Sequence, residues 1–241
     1  EMTQMSDFSG KSVMVLGGSR GIGAAIVRHF AGAGAKVLFS YSGSPDAAAA
    51  VAAETGATAV KADSANRDEL IAAVAAAGAL DIMVINAGVG IMGDPLTTDP
   101  DAVDRLIDIN VRAVYFAGVE AGRQMHDNGR IVIIGSISGD RAPWPGGTAY
   151  GMTKSAVQGI GRGLARDFGP RGITVNVVQP GPVDTDMNPA NGPMAKMMHS
   201  GMAIKRHATA DEVASLVLYL ASPAAAMITG TTQTIDGGAG L

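Results

Sequence analysis

Seven short runs of apolar and β-branched residues punctuate the chain: SVMVLG from Ser12, KVLFSY from Lys36, ATAVKA from Ala57, LDIMVIN from Leu80, RIVIIGS from Arg130, ITVNVVQP from Ile173 and TQTID from Thr232. Most are continuous rather than alternating, the pattern of strands covered on both sheet faces. Between them lie longer helical stretches, several Ala-rich: 21–34, 44–56, 66–78, 99–125, 148–169 and 209–222. Strand and helix therefore alternate, which predicts βαβ units and a parallel sheet. Ser44 before Pro45 suits an N-cap followed by the first helical position, and Gly34, Gly56, Gly78 and Gly169 fall where helices should stop. Pro180 to about Ala208 fits no element, and a loop of that length in a compact domain is functional or disordered.

Composition narrows the class. With 241 residues, 47% of them apolar, the chain is long enough for one large core, so 1–241 reads as one domain, with 1–10 a lead and Glu1, ahead of Met2, an expression remnant. The formal charge of -4 and the lack of a dense Lys/Arg run argue against nucleic acid or an anionic membrane as partner. Without cysteine neither disulfides nor thiolate chemistry is available, and a cytoplasmic location is allowed. No apolar run approaches the roughly 18 residues of a membrane span. His29, His126, His199 and His207 are scattered without metal-like spacing, so no metal is expected.

Local chemistry then points to a ligand. Gly17, Gly21 and Gly23 follow the first strand and open the first helix, where missing side chains tighten a turn and let backbone amides reach a pyrophosphate. Many such folds end the second strand with an acid that takes the ribose 2'-hydroxyl. Here that position is Tyr41, between Ser40 and Ser42, and no carboxylate repels a 2'-phosphate. Arg20, on the glycine loop, can clamp that phosphate with a charge-assisted fork, which favours NADP(H) over NAD(H); the plainer alternative is a solvated loop charge. Tyr150 and Lys154 are four apart on a predicted helix and share a face, so a neighbouring ammonium can lower the phenol pKa toward neutrality. Ser136 ends a strand at the crevice side, with Ser138 its rival for a substrate carbonyl. Asn110 sits inside a helical pattern it does not favour.

Ser136, Tyr150, Lys154 and Asn110, in this order and spacing, resemble the active-site tetrad of the short-chain dehydrogenase/reductase family, and the loop Leu16 to Gly23 resembles its T-G-x-x-x-G-x-G motif with Leu16 for Thr. The resemblance runs from Lys11 to the DGG at Asp236 to Gly238. INAG is similar to the family's N-N-A-G, with Ile85 for the first Asn and Asn86, Ala87 and Gly88 kept; Asn176 matches as well. It implies a single-domain, Rossmann-type doubly wound parallel sheet of about seven strands with helices on both faces. The cofactor would contact Gly17, Ser19, Arg20, Gly21, Ile22, Gly23, Tyr41, Ser42, Asp63 and Ser64 toward the adenosine, then Asn86, Ala87, Gly88, Tyr150, Lys154, Pro180, Gly181, Val183 and Thr185. By the same resemblance, Tyr150 gives the proton in hydride transfer to a carbonyl, Ser136 polarises it, Lys154 tunes Tyr150 and bonds the nicotinamide ribose, and Asn110 anchors a water.

Several readings stay open. Residues 186–208, with Met187, Met197, Met198 and Met202, suit a substrate lid or a subunit contact. Trp144 could line the pocket, with Ser138 and Met187, or anchor the surface. The family implies a homotetramer or dimer, and the small residues of the 148–169 helix suit packing across a two-fold or on the sheet. GLARDFGPRGIT, NPANGPM and MAIKRH are similar to a cyclic-di-GMP-binding branch of the family, which adds a regulatory ligand-binding protein as the second reading beside a ketone reductase.

Overall fold

Ser12–Leu16 forms the first strand, β1. Its Val13 and Val15 enter one core and its Met14 and Leu16 the other, which is why the run is apolar throughout. The computed structural model describes residues 7–142 and 145–241. The other strands are β2 (Lys36–Tyr41), β3 (Thr58–Lys61), β4 (Leu80–Ile85), β5 (Met125–Ile134), β6 (Thr174–Pro180) and β7 (Thr232–Ile235). The helices are α1 (Gly21–Gly32), α2 (Pro45–Thr55), α3 (Arg67–Ala75), α4 (Pro100–Ile107), α5 (Ala113–Gln124), α6 (Thr148–Phe168), α7 (Ala195–Ser200) and α8 (Ala210–Ala221).

All seven strands are parallel in one sheet ordered β3-β2-β1-β4-β5-β6-β7. Helices α1, α2 and α8 cover one face and α3, α5 and α6 the other. The winding reverses between β1 and β4, and a crevice opens beyond the carboxyl ends of the strands at such a point. The expected fold class is thus the observed one. Among the described residues no helix is long and apolar enough to cross a membrane.

The departures from the expected elements have local causes. The 99–125 helix is three pieces, because a π-helical turn at Asp108–Arg112 separates α4 from α5. Gly169 is the C-cap residue of α6, as expected, but it is right-handed (φ -51) and leads into a 3-10 turn, so the left-handed residue is Gly172 (φ 69). Gly56 does end α2 in the left-handed region (φ 71), while Ser44 caps its start without a side-chain bond. The stretch Pro180 to Ala208 is not all loop, since α7 lies within it. On α6, a Cβ at Gly161 would stand 2.8 Å from Val177 Cγ2, so that glycine packs on the sheet, whereas Gly159 and Gly163 face open space.

Candidate active site

The loop after β1 is built by close approach. Gly17 and Gly21 have φ of 80 and 51, and a Cβ on Gly17 would lie 2.9 Å from Ala87 Cα. A side chain at Gly23 would run into the Gly17 carbonyl oxygen and stand 2.6 Å from Asn86 Nδ2. Asn86 Nδ2 donates to that same Gly17 oxygen at 2.7 Å, and the Gly17 and Gly18 amides donate to Ser40 Oγ (3.0 Å) and Ser40 O (2.9 Å). The tie that Leu16 cannot supply therefore comes from buried Ser40 on β2. Arg20 is the N-cap residue of α1, extended and without a side-chain cap. The first-turn amides of α1, with Ser19 and Ile22 half-buried beside them, are left to an anion.

At the adenosine side, Tyr41 is half-buried and Ser42 exposed, with no carboxylate between them. Arg20 Nη1 lies 3.8 Å from Asp186 Oδ2, a solvent-exposed pair of little energetic weight. Asp63 is held by Arg105 of α4, whose Nη2 stands 3.3 and 3.1 Å from its two carboxylate oxygens, and Oδ1 also accepts from Ala65 N at 3.0 Å. Ser64 beside it is buried.

The tetrad converges. Ser136, ahead of the 3-10 turn Ile137–Gly139, accepts from Ser138 N at 3.2 Å, and its hydroxyl acts on the Tyr150 phenol. Of the two rival serines, Ser136 is the one whose hydroxyl influences the tyrosine, and Ser138 supplies a backbone amide that orients it. Lys154 is buried, its Nζ 3.2 Å from Ile134 O and 5.7 Å from the Tyr150 ring centroid. Gly88 lies beside them: a Cβ built there would be in ordinary contact with Lys154 Nζ and Asn110 Oδ1, at 3.5 and 3.4 Å. Asn110, in the π-helical turn, clamps Val89: Oδ1 accepts from Val89 N (2.9 Å), and Nδ2 donates to Val89 O (2.9 Å) and Thr153 Oγ1 (3.1 Å). Thr153 Oγ1 in turn donates to Tyr150 O at 2.7 Å.

Electrostatics departs from the sequence expectation. Burial raises the Tyr150 pKa above its usual 10, with the Ser136 hydroxyl opposing it, so the phenol is held protonated. Lys154 is buried too, and removing water from its ammonium lowers its own pKa to about 8.

Beyond β6, Gly181 N donates to Ile235 O (3.0 Å), and Pro182 O and Asp184 N bond the two sides of Ala208 (both 2.9 Å). This ladder buries the Val183 side chain and leaves its main chain on the other side. Thr185 pairs with Asn188, and its Cγ2 would be 3.1 Å from a Cβ on Gly21, so the glycine loop and this segment face each other. Met187 is exposed, with Sδ 3.8 Å from a Cβ on Gly90. The segment 186–208 is pinned at its far end by Ile204 N to Gly237 O (2.8 Å) and by His199 Nε2 against His207 Nδ1 (2.6 Å). Asn176 ties β6 to the chain before β7 through Ile228 O (2.6 Å) and Thr231 Oγ1 (3.0 Å), a structural use. Trp144 lies outside the described residues.

Sequence reasoning missed Thr153, Ser40 and Arg105. The first sits inside the Tyr150–Lys154 spacing and the second is a polar residue in an apolar strand, signals that were there; nothing local marks Arg105.

A family model described as enoyl-(acyl carrier protein) reductase matches residues 17–240. The cyclic-di-GMP-binding biofilm dispersal mediator protein of Escherichia coli K12 is 61% identical over 98% of this chain and 100% of its own length. The crystal structure of BdcA in complex with NADPH superposes with a TM-score of 0.95 at 61% identity, over 96% of this chain and 95% of that one. A short-chain dehydrogenase from Burkholderia cenocepacia J2315 in complex with NADP does so with a TM-score of 0.94 at 45% identity, over 98% and 100%.

Proposed function

Since the chain belongs to the short-chain dehydrogenase/reductase family, we propose that it is an NADPH-dependent carbonyl reductase acting on small or medium ketones. The observation that carries this is the converging tetrad: the Ser136 hydroxyl acting on Tyr150, Lys154 buried with its Nζ 5.7 Å from the Tyr150 ring centroid, and Asn110 bracing the Gly88–Val89 backbone behind them. NADPH fits the residues present: the bare amides of the Gly17–Gly23 loop suit a diphosphate, Arg20 with no acid at positions 40 to 42 suits a 2'-phosphate, and the backbone at Val183 and the Thr185 hydroxyl suit a carboxamide. The bound relatives just described support the same cofactor. When bound it supplies a hydride from nicotinamide C4.

The chain's own groups do the rest. Ser136 holds the carbonyl oxygen and stabilises its developing charge. Tyr150, kept protonated by burial, delivers its proton to that oxygen. The Lys154 ammonium steadies the resulting phenolate and reaches the nicotinamide ribose. Both amide hydrogens of Asn110 are spent on Val89 O and Thr153, so a water feeding protons inward would be held by an oxygen of Asn110. Met187 and the methionines of 186–208 provide an adaptable apolar cover.

A panel of ketones, followed through oxidation of NADPH, tests this. Tyr150→Phe should bind NADPH normally and lose reduction by several orders of magnitude, and near-normal turnover would refute the assignment. Arg20→Ala should lose the preference for NADPH over NADH; an unchanged preference would remove Arg20 from the 2'-phosphate. The second reading, a regulator that binds cyclic-di-GMP, is favoured by the name of the 61% identical relative. Titrating that ligand against protein saturated with NADPH separates a borrowed dinucleotide site, where the two compete, from a separate one. A homotetramer, built from α4, α5, α6 and β7, is the assembly the family implies.

A further inference from the structure

We infer that Arg105 is a positioning residue that fixes the Asp63 carboxylate so that it reads the 6-amino group of the cofactor's adenine. The inference rests on the dinucleotide reading above, and adds to it a residue on a helix that carries none of the tetrad.

A carboxylate offers about four acceptor positions, two on each oxygen. On Asp63, Oδ1 is filled by Ala65 N (3.0 Å) and Arg105 Nη2 (3.3 Å). Oδ2 takes Arg105 Nη2 at 3.1 Å and keeps one acceptor position. The main chain is fixed as well, because Asp63 N donates to Glu69 Oε2 at 2.9 Å, and Glu69 Oε1 accepts from Asn66 Nδ2. Asp63 therefore stands at the end of β3 with its backbone tied to the first turn of α3 and its carboxylate tied to α4. What remains is a single acceptor aimed by its neighbours, which suits an N–H donor and repels a carbonyl oxygen. Adenine presents an amino group at its 6-position, and hypoxanthine presents an oxygen there. Left unpaired or opposed, a charged acceptor discriminates strongly.

Without Arg105 the carboxylate keeps its charge and its Ala65 bond but loses the contact that sets its plane. One nitrogen of Arg105 makes both contacts, so a lysine ammonium reaching the same place would serve.

The test compares the dissociation constants of NADPH and reduced nicotinamide hypoxanthine dinucleotide phosphate, read by nicotinamide fluorescence, for wild type, Arg105→Gln, Arg105→Lys and Asp63→Asn. Wild type should prefer the adenine cofactor by about tenfold or more, the scale of a charge-assisted hydrogen bond. Arg105→Gln and Asp63→Asn should lose most of that preference, and Arg105→Lys should keep it. A merely structural role for Arg105 would weaken both cofactors alike and leave their ratio unmoved. Full discrimination in Arg105→Gln with loss in Asp63→Asn, or loss in Arg105→Lys as in Arg105→Gln, would overturn the role of Arg105 and leave the dinucleotide site standing. Full discrimination in both Arg105→Gln and Asp63→Asn would remove Asp63 from the adenine and the inference with it.

Discussion

Lys154 carries its ammonium into the protein interior with one carbonyl oxygen, that of Ile134, as its hydrogen-bond partner. A pKa lowered to about 8 in the folded protein, against roughly 10.4 in an unfolded chain, makes folding sensitive to pH. Between those values the unfolded state binds the extra proton, so stability rises with pH there, and the burial penalty is fully present below about 8. The whole effect is on the order of 3 kcal/mol. Thermal melts of the cofactor-free protein should therefore gain stability from about pH 8 to about pH 10.5 relative to Lys154→Met; parallel curves for the two would contradict the burial. At this scale Tyr150 and Lys154 were legible through their four-residue spacing taken together with Ser136 and Asn110, since the spacing alone is common. The sequence was silent on how deep the pair would lie, and depth is what reverses the expected direction for the Tyr150 phenol. Burial is a property of everything packed around a residue, and no local spacing encodes it.

Elements were legible wherever one period ran unbroken. β1 to β7 could be read from their apolar runs and α8 from its helical stretch, whose start the structure caps with a Thr209–Glu212 box. The π-helical turn was not, because its extra residue leaves the helical pattern almost intact while rotating Asn110 toward Val89; the one hint was a polar residue where a helix prefers none. Helix α7 has six residues and too little pattern to register. The junction of β1 and α1 offers a sharp check on element packing. Changing a helical glycine to alanine ordinarily stabilises by about 0.5–1 kcal/mol, but Gly23→Ala would strike Gly17 O and Asn86 Nδ2. It should fold with unchanged circular dichroism, melt lower and bind NADPH at least about tenfold more weakly. A higher melting point with normal binding would show that α1 does not approach the loop so closely.

For the molecule as a whole, the order of the sheet explains why residues from Gly17 to Thr185 meet, since β1, β4, β5 and β6 lie side by side and deliver their carboxyl ends to one edge. Alternation of strand and helix was enough to foresee that edge, whereas the pairing of α4 with the β3–α3 loop through Arg105 and Asp63 came only from the packed chain. The last strand has an effect out of proportion to its four residues. Ile235 receives the Gly181 amide and Gly237 receives that of Ile204, so β7 and its tail seat both ends of the segment assigned to the nicotinamide and the substrate. A chain emerging from the ribosome can lay down β3 through β6 and most of both cores, yet it has nothing to rest that segment on until Thr232 to Gly237 appear. Synthesis thus supplies the strands of the scaffold first and the support of that segment last.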